Sequence, residues 1–297
     1  MIGYVICGAT ATGKTNLGIE LAKKVHGEII SADSRQIYKY LNIGTAKVTP
    51  EETQEIPHHL IDIFEPSYRA SVVDVATQAH VVIEDCMARN ITPIIVGGTG
   101  FYIDAFIKEM LPDVPEVSDN TLEKYTSLST EEIKEHVRKL DPILALSIDT
   151  TNRDRMIRAL SIIDHMGTIP AKIPVKFSQP IEWTWIGLSI PRNEHQELIK
   201  NSRATRERTE AIIAEAQQLL DANFLTLERC EELGLEYKLA AQYIKGELSL
   251  EEFQQQLFHK ICQYAKRQET WFKRNQDIQW FNPLTTSNEE IIKSLIQ

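Results

Sequence analysis

Gly8-Ala9-Thr10-Ala11-Thr12-Gly13-Lys14-Thr15 has the residue types and spacing needed to hold a phosphate chain. It matches GxxxxGK[ST] and lies between an apolar run and a helical pattern, the context that the motif requires. The glycines let the backbone curl until successive N–H groups point at phosphate oxygens, and the following helix dipole favours the same anion. Lys14 brings a point charge to the outer phosphate, and Thr15 brings a hydroxyl to a Mg²⁺ ion. The loop does not choose a reaction, because kinases, GTPases and ATPases share it. A guanine-reading NKxD segment is missing, Asp164-His-Met-Gly167 follows no strand, and Leu60-Ile-Asp62 makes a poor Walker B. Ordinary nucleotide hydrolysis is therefore disfavoured. A kinase that binds ATP and phosphorylates a small molecule remains the alternative.

The elements around the loop follow from hydrophobic patterning. Tyr4–Cys7, Glu28–Ala32, Leu60–Phe64 and Pro93–Val96 read as strands, and Lys14–Val25 and Val72–Ala88 read as helices. Short β-rich runs separated by helix-length segments predict an α/β fold, a parallel sheet flanked by helices. A late strand, Trp183–Ile190, returns to the same sheet. Residues 113–180 have a different texture, opening on the Pro-punctuated stretch Leu111-Pro-Asp-Val-Pro115. Ser129–Glu132 is a capping-box pattern, and Asn152–Met166 is a helix ended by Gly167. We read 113–180 as a small helical insertion domain in a core made of 1–112 and 181–297; one continuous domain with a long crossover is the alternative. A second capping box, Ser249–Glu252, opens a helix running to about Arg274.

The chain has 297 residues, 42% hydrophobic and 25% charged, close to average for a soluble globular protein. Its apolar start, Ile2 to Cys7, lacks a basic leader and reads as a buried strand rather than an export signal. Four cysteines, Cys7, Cys86, Cys230 and Cys262, form no CxxC pair, so buried free thiols in the cytoplasm are expected. No run is long and apolar enough to span a membrane. Asp33, at the carboxyl end of the second strand, sits where ligands bind in such sheets, and it could act as a general base. By residue type alone it could equally cap a helix, with Gln36 three positions on. His58 and His59 lack further ligands at metal spacing.

Three further segments narrow the choice. They are Ser31-Ala-Asp33-Ser34-Arg35-Gln36-Ile-Tyr38, Gly97-Gly98-Thr99-Gly100-Phe101-Tyr102 and Tyr264-Ala-Lys266-Arg267-Gln268-Glu-Thr-Trp271-Phe272. With the phosphate loop, and in this order, they resemble the tRNA dimethylallyltransferase (tRNA isopentenyltransferase) family. His58-His59-Leu60-Ile-Asp62-Ile and Arg155-Met-Ile-Arg158-Ala-Leu160 support the match, which spans nearly the whole chain. The resemblance implies a P-loop NTPase-like core and transfer of a dimethylallyl group from dimethylallyl diphosphate to N6 of the adenine 3′-adjacent to the anticodon of a tRNA. It implies Mg²⁺ and no protein partner.

On this resemblance the loop residues Gly8 to Thr15 become a diphosphate site and Asp33 the catalytic base. Ser34 and Gln36 would hold the unstacked adenine, and Arg35 would belong to the same tRNA-binding turn. Thr99 would lie near the tRNA, and Arg155, Arg158, Lys266 and Arg267 would meet its anticodon arm. An arginine after the last core strand would contact the leaving diphosphate. Matching Glu215-Ala216 to the family's acidic-Ala pair selects Arg203, with Arg206 still possible. The family's Ile-Gly-Tyr-Lys-Glu is here Leu233-Gly-Leu-Glu-Tyr237-Lys238, which leaves Tyr237 and Lys238 without an assigned role.

The formal net charge of −10 argues against a uniformly basic coat, but the charge is segregated. Acids gather in 51–85 (Glu51, Glu52, Glu55, Asp62, Glu65, Asp74, Glu84, Asp85), and bases gather near 153–158, 200–208 and 260–274. A local phosphate-binding surface needs no more than this. The affinity for tRNA should fall with salt on a shallow slope, set by a few phosphate contacts. A filter-binding series giving a slope equivalent to about ten or more contacts would contradict it.

Overall fold

A computed structural model describes residues 1–110 and 124–296. The Leu111–Pro115 stretch lies outside the described residues. By its contacts the chain divides into two units, Met1–Lys108 with Lys176–Gln297, and Glu109–Val175.

The larger unit is built on a six-stranded sheet of order β3-β2-β4-β1-β7-β8, parallel throughout. Its strands are β1 (Ile2–Gly8), β2 (Gly27–Ala32), β3 (His58–His59), β4 (Thr92–Gly97), β7 (Glu182–Leu188) and β8 (Gln279–Phe281). Val5, Ile6 and Cys7 are completely buried, because the central strand is covered by helices on both faces. On one face α1 (Lys14–Val25) sends Leu17 and Leu21 into a cluster with Ile6, Ile29, Ile94 and Ile186. α2 (Val72–Ala88) opens on a complete Ser71–Asp74 capping box, and its Val75, Ala79 and Ile83 are buried. The predicted bounds of α1 and α2 are the observed ones, and the late strand pairs with β1 along its whole length.

The expected strand Leu60–Phe64 is a correction. Pairing with β2 stops at His59. Leu60 and Asp62 then take φ of 62° and 57°, left-handed conformations that no strand can contain. The segment hydrogen-bonds instead to the turn after β2, through Asp62 N–H to the Gln36 carbonyl and Ile63 N–H to that of Ile37, and Phe64 forms an isolated bridge with Tyr38.

The second unit holds α4 (Thr130–Leu140), α5 (Pro142–Ser147) and α6 (Arg153–Met166), with α3 (Gly100–Ile107) closing the first unit ahead of it and a two-residue pair, β5 (Glu109–Met110) with β6 (Ile173–Pro174), in its own small sheet. Tyr125, Ile133, Val137, Met156 and Leu160 form its core. Ser129 and Glu132 make the capping box of α4, Asn152 caps α6, and Gly167 ends α6 at φ 78°.

The C-terminal helices are α7 (Arg192–Ser202), α8 (Arg206–Asp221), α9 (Leu227–Leu233), α10 (Leu235–Ile244), α11 (Leu250–Phe272) and α12 (Asn288–Leu295). Glu215 of α8 is buried and holds the loop after β2. Its Oε2 accepts from the N–H groups of Asn42 (2.9 Å) and Ile43 (2.7 Å), and its Oε1 accepts from Gly44 N–H (3.0 Å) and the Tyr237 hydroxyl (2.6 Å). Tyr237 is thus a packed core residue, its phenol pushed far upward by burial and by the adjacent Glu215 carboxylate. Glu215→Ala strands three backbone donors and should lower unfolding free energy by about 3 kcal/mol, and Tyr237→Phe by about 1 kcal/mol. Urea titrations of both variants check this, and equal losses would contradict the ranking.

Candidate active site

Three loops leave the carboxyl ends of β1, β2 and β4 on the same edge of the sheet and enclose a cavity of about 560 Å³. The phosphate loop forms one wall. Gly13 takes φ 86° as it enters α1, where any larger side chain would be strained although space for a Cβ is open. α1 has no side-chain cap and no acid in its first turn, unlike α2, α4, α11 and α12, which all carry full capping boxes. Among the described residues, the N–H groups of Ala11, Thr12, Gly13, Lys14 and Thr15 donate to no protein acceptor. An uncapped helix end facing a cavity is a ready anion site.

Lys14 lies in this wall, its ammonium donating to the Ala9 carbonyl. Burial pulls its pKa down to about 8, against the opposing pull of the Asp33 carboxylate; the nearby Arg203 cation lowers it further. Thr15 lines the cavity, and its hydroxyl makes no hydrogen bond to a described residue. A hydroxyl, substrate phosphate oxygens and water form a fitting donor set for a hard divalent cation.

Asp33 lines the same cavity. Its Oδ1 accepts the N–H groups of Arg35 (2.8 Å) and Gln36 (3.2 Å) in a tight turn, and no helix follows. The turn fixes the carboxylate while its Oδ2 makes no hydrogen bond to a described residue. Gln36 is committed to the protein, through Ser31 Oγ (3.2 Å) and the Thr45 and Ala46 carbonyls. A smaller annex of about 110 Å³ is lined by Asp33, Ser34, Arg35, Arg203, Arg208 and Glu236, among others. Burial raises the Glu236 carboxyl to about 7.

Arg203 lines both cavities, and burial lowers its pKa, with Arg208 beside it acting in the same direction. Arg206 lines neither; it pairs with Glu210 at 2.9 Å on the exposed face of α8. On α11, Tyr264 and Gln268 lie four residues apart and face the cavity, whereas Lys266 and Arg267 are exposed. Arg267 lies over the Tyr264 ring at 5.8 Å. Thr99 is in the turn after β4; its hydroxyl is buried beside the Tyr264 phenol but lacks hydrogen-bond geometry to it. Arg155 and Arg158 are exposed on α6 of the second unit. His59 meets Glu28 at 2.7 Å near Cys86, but Arg89 takes both Glu28 oxygens at 2.7 Å, which fills the place a metal would need.

The model of the IPP transferase family matches residues 36–275. The chain belongs to this family. The tRNA dimethylallyltransferase of Staphylococcus haemolyticus is 36% identical over 98% of this chain and 90% of its own. That of Alkaliphilus metalliredigens is 38% identical over 99% and 95%. The full-length tRNA isopentenylpyrophosphate transferase of Bacillus halodurans superposes with a TM-score of 0.72 at 33% identity, covering 99% of this chain and 94% of that one. A eukaryotic dimethylallyltransferase acting on tRNA superposes with a TM-score of 0.79 at 25% identity, covering 99% and 77%. The α/β core with its parallel sheet is thus the fold of the IPP transferases.

Within this family member, sequence reasoning missed the loop 42–49, Arg208, Tyr264 and Gln268 as cavity walls. Arg208 had a signal, since it lies in the same basic run as Arg203. The loop had only Gly44-Thr45-Ala46-Lys47, and its Lys47 is consumed by Tyr38 O, Asn42 Oδ1 and Asp62 Oδ1.

An anion that needs Lys14 protonated is lost as pH rises through 8. Pyrophosphate affinity should fall about tenfold between pH 7 and 9, and Lys14→Ala should bind weakly with that limb absent. Calorimetric titrations across this range check it; an identical pH limb in Lys14→Ala would contradict it.

Proposed function

We propose that this protein transfers a dimethylallyl group from dimethylallyl diphosphate to the exocyclic N6 of the adenine 3′-adjacent to the anticodon in tRNA, in the cytoplasm and with Mg²⁺. The observation that carries the reading is one cavity lined both by the phosphate loop, with its free N–H groups, and by a fixed carboxylate with a free oxygen.

The diphosphate would lie on the N–H groups of Ala11 to Thr15. As the allylic C1–O bond breaks, negative charge builds on the bridging oxygen and leaves with the diphosphate. Lys14, the loop N–H groups and Arg203 supply preorganised positive charge for it in a partly dry site. Thr15 is the residue that would hold Mg²⁺, whose charge when bound offsets that of the diphosphate oxygens. The adenine N6 lone pair forms the new bond to C1, and its surplus proton passes to the free oxygen of Asp33. Ser34 and Arg35 in the annex suit contact with the extruded nucleotide, while Gln36 shapes the pocket indirectly. Exposed Lys266, Arg267, Arg155 and Arg158 have the charge and accessibility that tRNA phosphates require. Thr99 offers an unsatisfied hydroxyl beside the same wall. No helix among the described residues is long and apolar enough to cross a membrane.

Labelled dimethylallyl transfer to unmodified tRNA should require Mg²⁺ and no ATP. Asp33→Ala should slow single-turnover transfer by about 10²–10⁴-fold while tRNA affinity stays within about twofold. Loss of tRNA binding instead would reduce Asp33 to a turn former, and consumption of the γ-phosphate of ATP would favour the kinase.

A further inference from the structure

Two consecutive peptide planes of the phosphate loop are gripped by side chains from far along the chain. Gln268 on α11 is 6% exposed and has both ends of its amide engaged. Thr10 N–H donates to its Oε1 at 2.9 Å, and its Nε2 donates to the Gly98 carbonyl at 3.0 Å. His195 on α7, 4% exposed, sets Nε2 2.8 Å from the Thr10 carbonyl oxygen. A carbonyl only accepts, so Nε2 carries a proton. Its Nδ1 faces Glu269, the neighbour of Gln268, at 3.8 Å.

A trans peptide is planar, with its C=O and N–H pointing in opposite directions. The Ala9–Thr10 plane, with its N–H turned to Gln268, must turn the Ala9 carbonyl the other way. There the carbonyl accepts from Thr12 Oγ1 (2.9 Å) and from the Lys14 ammonium. The Thr10–Ala11 plane, with its carbonyl turned to His195, must turn the Ala11 N–H away from His195. That N–H has no protein acceptor among the described residues, and Ala11 lines the cavity.

We propose that Gln268 and His195 are positioning residues that hold the phosphate loop with the Ala11 N–H and the Lys14 ammonium set for a diphosphate before it arrives. The assignment of the anion rests on the functional reading above; the clamp itself acts on any diphosphate bound there. Donors already in place need no reorganisation when the anion binds or when charge develops on it. The clamp also joins the phosphate loop to the turn after β4. A Cβ at Gly98 would lie 2.1 Å from Gln268 Nε2, so this contact requires glycine.

Inorganic pyrophosphate, titrated with Mg²⁺ into the full chain, tests the clamp without any transfer reaction. Gln268→Ala and His195→Ala should each weaken binding about tenfold, in the range seen when a supporting hydrogen bond behind a bound ion is removed. His195→Gln offers an amide nitrogen to the Thr10 carbonyl and should recover affinity to within about threefold of the parent. Gln268→Glu keeps an acceptor for Thr10 but sets a second oxygen against the Gly98 carbonyl, and should behave like the alanine variant. In steady-state transfer, the clamp variants should raise KM for dimethylallyl diphosphate and leave KM for tRNA unchanged. Hydrogen exchange at the Thr10 amide should accelerate in Gln268→Ala. Unchanged pyrophosphate affinity in both alanine variants overturns the proposal, as does equal weakening in His195→Gln and His195→Ala. If an alanine variant does not fold, the Gln268→Glu and His195→Gln results decide. A parent protein that binds pyrophosphate with this pattern yet prenylates no tRNA upholds the clamp and overturns the functional reading.

Discussion

The bare N-terminus of α1 is the constraint on which the rest depends. The chain starts eight of its other described helices on a capping side chain, four with complete capping boxes and four with a capping Asp, Asn or Thr, whereas α3, α7 and α10 lack one. At α1 it places a glycine in the left-handed region and leaves a series of N–H groups without protein acceptors. Free N–H groups and an unopposed helix dipole demand an anion. Because β1 is central in a parallel sheet, the loop opens at the edge where the turns after β2 and β4 also emerge. The sheet therefore brings Asp33 and the Gly97–Gly100 turn to the phosphate loop without any long-range design beyond strand order.

What surrounds the anion separates a prenyl transfer from a phosphoryl transfer. Asp62, the Walker B candidate, is bound to Lys47 and belongs to the loop scaffold. Two acids line the main cavity: Glu52, whose Oε2 accepts from Thr49 N–H, and Asp33, with one oxygen anchored by two backbone N–H groups. The latter arrangement suits a base held for an incoming amine. Arg203 and Lys14 are both desolvated beside it, which strengthens their attraction for developing charge.

Much of this was legible in the sequence because it is local. The phosphate loop is eight consecutive residues, α1 and α2 announce themselves by apolar period, and α6 by its Asn152 start and Gly167 end. Asp33 was visible by type and by its place after a strand, yet its alternative role as a helix cap fell only when the turn after it proved not to be helical. The strand expected at Leu60–Phe64 failed because two left-handed residues redirect a β-branched apolar run, and such conformations leave no mark in composition. Gln268, Tyr264 and Arg208 were hidden for another reason. Their roles depend on which face of a helix meets the loop, and tertiary packing alone decides that. Glu215 served as an alignment marker in the sequence, whereas in the fold it pins three backbone donors of the cavity wall. The net charge of −10 proved equally uninformative about the site, since the cavity and its rim gather cations that the total conceals.

The central claim is that the diphosphate site and Asp33 together alkylate an adenine amine in tRNA. Its most direct test is the nucleoside mass spectrum of unmodified tRNA after incubation with the protein, Mg²⁺ and dimethylallyl diphosphate. The account predicts an adenosine heavier by one C₅H₈ unit, confined to the position 3′ of the anticodon. An unchanged nucleoside spectrum from tRNAs that carry adenine at that position would contradict it.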